Sequence, residues 1–122
     1  MTPKEKAAAA ISTLTRQTLS GSISWVKLQP AIEPANANDK ITDYYEAEVK
    51  GQRLAIYAGH TPHRDEGDEQ PWWQDYVELV ALDPERQVGW RFPRVVGAAE
   101  LLDAVRYRSA GMDRFLDELI GP

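Results

Sequence analysis

The chain contains no cysteine. Disulfide staples, thiolate metal sites and cysteine nucleophiles are therefore excluded. Stability must come from burial. At 122 residues a chain can bury roughly two thirds of its unfolded surface, enough for one core. Long apolar runs are missing too. Nothing approaches the ~18 apolar residues of a membrane span. The N-terminal MTPKEKAAAAISTLTRQTLSG has too weak an apolar core for a signal peptide. These absences lead us to expect a cytoplasmic protein without a membrane partner. There is no Gly-x-Gly-x-x-Gly or Walker loop to cradle phosphate, and no serine stands in a Gly-x-Ser-x-Gly elbow. No cofactor is expected, and the balance leans away from an enzyme.

What is present is ordinary globular material, with 43% apolar residues, 27% charged ones, four Trp and five Tyr. The net charge of −5 is unevenly spread. From Glu33 to Glu85 thirteen acidic residues face four basic ones; from Arg86 to Arg114 six arginines face three acids. Two halves of opposite sign are expected to pack together and neutralise each other.

Thr2-Pro3-Lys4-Glu5 is a capping box with Pro at the first helical position, which predicts a helix over about residues 3–19, stopped by Gly21. Ser22–Leu28 is rich in β-formers. A turn at Lys50-Gly51 pairs Val49 with Gln52, Glu48 with Arg53, Ala47 with Leu54, Tyr45 with Ile56 and Tyr44 with Tyr57. This register gathers the apolar residues on one face. Residues 73–82 form the next strand. A four-residue loop, Asp83 to Arg86, then pairs Leu82 with Gln87, Ala81 with Val88, Leu79 with Trp90 and Val77 with Phe92. After Pro93 the apolar period becomes helical, over residues 98–108 and 112–120, with Gly111 favouring a break. The expectation is one α+β domain over residues 1–122. It has a five-stranded, mainly antiparallel sheet, with the N-terminal helix and one or two C-terminal helices packed on one face.

Three sets of residues could carry function. The stretch Ala58–Pro71, AGHTPHRDEGDEQP, reads as a loop of about 14 residues holding both histidines. His60, His63 and Asp65 are its candidate metal ligands, since imidazole and carboxylate suit a divalent transition ion. Tyr44, Tyr57 and Tyr76 fall on the sheet face away from the helices. With Trp72 and Trp73 they form a candidate surface for a protein partner or a second copy, a homodimer. Of the two tryptophans, one is expected in the core and its neighbour outside, because strand side chains alternate. Arg91 and Arg94 are candidates for holding a small anion. Nucleic acid is disfavoured, because the chain is acidic and Trp90 and Phe92 are expected in the core. A non-enzymatic interaction domain is the first expectation; a metal site on the His60/His63 loop or an anion pocket at Arg91/Arg94 are the alternatives.

Overall fold

The structure, a computed structural model, describes residues 1–34, 36–63, 67, 72–94 and 97–121. Helix α1 spans Pro3–Leu19. Its start is the expected capping box: Thr2 Oγ1 accepts from the Glu5 amide at 3.1 Å while the Glu5 carboxylate reaches back to residue 2. Ala7, Ile11, Leu14 and Thr18 form its buried stripe, spaced three to four apart. Strands β1 (Val26–Lys27), β2 (Lys40–Val49), β3 (Gln52–His63), β4 (Trp72–Leu82) and β5 (Val88–Arg91) follow, then α2 (Gly97–Ser109) and α3 (Met112–Ile120). The sheet runs β1-β2-β3-β4-β5 in chain order, every pair antiparallel.

The β2–β3 hairpin has the register expected from Lys50-Gly51. Lys50 (φ 51°) and Gly51 (φ 81°) both occupy the left-handed region, as a two-residue hairpin turn matched to strand twist requires. The β4–β5 register differs from expectation. Leu82 pairs with Val88 and Ala81 with Trp90. The loop holds three residues rather than four: Asp83 N donates to Gln87 O at 2.8 Å, and Arg86 turns left-handed at φ 63°. The one-residue shift moves Val88 to the second face of the sheet, and a bulge at Gly89 returns Trp90 and Phe92 to the helix face. Trp90 is not core as expected. It lies half exposed on the edge strand, with its ring against Phe92.

Two apolar clusters sandwich the sheet. On the helix side, Ile11 and Leu14 of α1 and Leu101, Leu102 and Val105 of α2 meet Tyr45, Ala47, Leu54, Ile56 and Leu79. Ile23 and Trp25 join them, and Trp25 Nε1 donates to the buried Thr18 hydroxyl at 3.0 Å. On the other side, Tyr44, Ala55, Tyr57, Val80 and Leu82 pack with Ile32 from the β1–β2 connection. That face is therefore covered where an open one was expected: Tyr44 is 1% and Tyr57 0% exposed. Segment 22–28 also forms less strand than expected, pairing only at Val26 and Lys27.

Candidate functional site

Small side chains leave room between the sheet and α2. Ala98, Leu102 and Arg106 stand four apart on one stripe of α2, and Ala58 and Val77 lie beneath on β3 and β4. The resulting cavity of about 650 Å³ is also lined by Thr42, Asp43, His60, Asp75, Tyr76, Arg94 and Ala99. Its size falls within the range of small-molecule sites, and so does its make-up, an apolar floor with a few convergent polar groups.

A backbone irregularity sets the polar wall. The β2–β3 register slips by one between Thr42 and Tyr44, and Asp43 bulges out with φ 48°. Regular alternation from Tyr44 would send Thr42 to the second face. With the bulge, Thr42 pairs with Ala58 on the cavity side, and Ile41 goes to the second face, where it packs with that cluster. Asp43 is caught by Arg106, with Nη2 at 2.6 Å and Nε at 3.0 Å, and by Lys27 at 3.5 Å. The Arg106 hydrogen bond holds the Asp43 carboxyl below its ordinary range.

His60 joins three strands. Its Nε2 lies 3.1 Å from Thr42 Oγ1, and its Nδ1 is hydrogen-bonded to Asp75, its register partner on β4. His63 does not share this site. Three positions along a continuous strand put it on the opposite face, where its ring stacks on Trp72 at 4.5 Å. The two imidazoles thus do not converge as a metal pair, and Asp65, with residues 64–66 and 68–71, lies outside the described residues. Among the described residues no three His, Asp or Glu side chains gather to hold a metal ion. Residues 58–63, expected in a loop, are strand, because they pair with 72–77. Beyond His60 the β3–β4 ribbon has no β2 beside it, so Trp72 (47% exposed) and Trp73 (44%) both stand at its half-exposed tip and neither enters the core. Lys40 Nζ sits 5.1 Å from the Trp73 ring centre.

The arginines divide between roles. Arg91 is pinned on the second face: it donates to Tyr57 Oη at 3.0 Å and approaches Glu78 at 3.3 Å, while Tyr57 Oη donates to the same carboxylate at 2.5 Å. It does not line the cavity. Arg94 does. Its guanidinium lies 4.2 Å from the Tyr76 ring centre and only 3.9 Å from Glu78, so its hydrogen-bonding fork is weakly engaged. Tyr76 Oη donates to the buried Asp39 at 2.8 Å. A parallel set holds Glu46, whose carboxylate accepts from Arg86 (2.6 and 3.1 Å), Tyr44 (2.8 Å) and Arg53 (3.4 Å). Burial alone would raise the Glu46 carboxyl, but these donors outweigh it and hold it low. Burial, reinforced by the neighbouring carboxylates, pushes the Tyr44, Tyr57 and Tyr76 hydroxyls well above their ordinary range. The basic stretch of sequence thus neutralises the acidic one.

Of the residues singled out in the sequence, the cavity contains His60, Arg94 and the edge of Tyr76. Thr42, Asp43, Asp75 and Arg106 were not expected there. Counting outward from the hairpin turn reaches Thr42, but no sequence signal marks the bulge that turns it toward His60. Comparison of the chain with protein-family models, with curated proteins and with solved structures returns no match.

Proposed function

We propose that the protein binds a small organic anion in the cavity between β2–β4 and α2. The observation that carries this is the cavity itself: about 650 Å³, apolar at its floor, with His60, Thr42 and Arg94 among the residues that line it. Arg94 is the anion holder: it lines the cavity, a guanidinium fork matches carboxylate or phosphate geometry, and its contact with Glu78, at 3.9 Å, is longer than those Arg91 makes with Glu78 and Tyr57. Arg91, the other candidate, is committed to Tyr57 and Glu78. The reading includes a cytoplasmic setting, which suits a chain without cysteine.

Thermal unfolding with a panel of aromatic and aliphatic carboxylates and phosphate esters tests the proposal. A ligand present at a hundred times its Kd stabilises the fold by about 2.7 kcal/mol. Arg94→Ala should abolish that shift. Arg91→Ala should lower the starting midpoint but keep the shift. A panel without any shift overturns the proposal.

A second reading, association with a protein partner or a second copy, is favoured by the exposed aromatic pair Trp72 and Trp73 and by α3. That helix buries none of its residues and presents Phe115, Leu119 and Ile120 to solvent.

A further inference from the structure

We propose that Thr42, His60 and Asp75 form a nucleophilic relay that hydrolyses a small ester carrying an anionic group. The inference rests on the ligand reading above and adds a reaction to it. Asp75 as a carboxylate can only accept, so its bond to Nδ1 assigns the imidazole proton to that nitrogen. Nε2 is then the lone-pair nitrogen, and it is the one 3.1 Å from Thr42 Oγ1. Nucleophile, base and orienting carboxylate stand in the order that activates a hydroxyl, and such a constellation is recognised by geometry rather than by position in the chain.

Two further observations separate this from an ordinary surface ladder. The hydroxyl lines a cavity large enough for a substrate. It reaches His60 only because β2 carries a bulge at Asp43, in a backbone conformation uncommon for a non-glycine residue.

The chemistry balances without a co-reactant other than water. Thr42 Oγ1 attacks the ester carbonyl carbon as its proton passes to His60 Nε2. The C–O bond to the leaving alcohol breaks, and that alcohol takes the proton from Nε2. Water then attacks the acyl-Thr42 ester, giving its proton to Nε2, which returns it to Thr42 Oγ1 as the carboxylic acid leaves. Arg94 holds the anionic group of the substrate while Thr42 attacks. Asp75 stands 76% exposed, so the relay is open to solvent; a substrate seated over the imidazole would exclude water and strengthen both bonds.

The test is hydrolysis of 4-acetoxybenzoate, followed by release of 4-hydroxybenzoate, together with labelling by an alkyl fluorophosphonate read by peptide mass spectrometry. Positioned base catalysis is worth about 10²–10⁴-fold, so Thr42→Ala and His60→Ala should each lose at least two orders of magnitude. Thr42→Ser should retain turnover, and the label should sit on residue 42 and vanish in His60→Ala. Turnover no faster than buffer, turnover unchanged in Thr42→Ala, or a label elsewhere overturns the relay. Stabilisation by 4-hydroxybenzoate, measured on Thr42→Ala and again after Arg94→Ala, keeps the two proposals apart. Wild-type protein that is stabilised by 4-hydroxybenzoate but turns nothing over sinks the relay alone, and wild-type protein that shows neither sinks the ligand reading with it.

Discussion

Gly59 and Tyr76 face each other across β3 and β4, and the tyrosine ring occupies the space a side chain at 59 would need. A Cβ placed on Gly59 would lie 2.2 Å from the ring. The ring cannot simply swing away, because its hydroxyl is tied to Asp39 and its face to Arg94. Gly59→Ala should therefore destabilise the fold by about 1–3 kcal/mol through overpacking. Urea unfolding measures this; an unchanged midpoint would show that the ring is not held as described. Asp43 is the other residue on which local geometry turns. Aspartate tolerates a left-handed backbone better than most residues, but nothing around it singles this one out, so the sequence shows His60 and Arg94 as chemistry-bearing side chains but leaves Thr42 and Asp75 looking like surface residues. They come together with His60 only through cross-strand neighbours and one bulge.

Elements differ in how openly the sequence declares them. The β2–β3 hairpin is legible because turn, charge pair (Glu48 with Arg53) and aromatic pair (Tyr44 with Tyr57) all demand the same register. β5 is not. Its four residues follow a left-handed Arg86 and contain the Gly89 bulge, and each shifts the pairing by one without altering the alternation of residue types. The C-terminal break near Gly111 is legible, and Gly111 has the positive φ (68°) that glycine adopts freely. What α3 is for is an element-scale question. Nine residues alone make a marginal helix in water, and Phe115, Leu119 and Ile120 lie bare on one stripe. If that stripe receives a second copy, native mass spectrometry should show a dimer whose share grows with concentration. The pair Phe115→Glu and Leu119→Glu should return it to monomer while changing fold stability by less than about 0.5 kcal/mol, as expected for exposed positions. A monomer at every concentration counts against self-association.

At the scale of the whole molecule, the sheet carries an apolar cluster on each side, and the second one is threaded by carboxylates, tyrosines and arginines. This arrangement predicts how stability varies with pH. Glu46 and Asp43 hold protons less readily folded than unfolded, so the stability they contribute is present above their ordinary values of 4.5 and 3.8 and is lost as pH falls below them. Tyr44, Tyr57 and Tyr76 hold protons more readily folded than unfolded, so their contribution is present below the ordinary value of 10.0 and is lost as pH rises past it. Stability should be flat between about pH 5 and 10 and fall on both sides. Replacing the three tyrosines by phenylalanine should flatten the alkaline arm; an arm of undiminished slope would show that other groups drive it. The succession of helices and strands along the chain, most of the helix-side core and the central hairpin follow from sequence alone, because capping, periodicity and turn chemistry act over a few residues; the order of the strands in the sheet does not. Tertiary structure decided the rest. Which tyrosines are buried, which arginine lines the cavity and which hydroxyl faces His60 all depend on how distant segments cross and on bulges that shift register by one residue, and in a strand one residue is the difference between two faces.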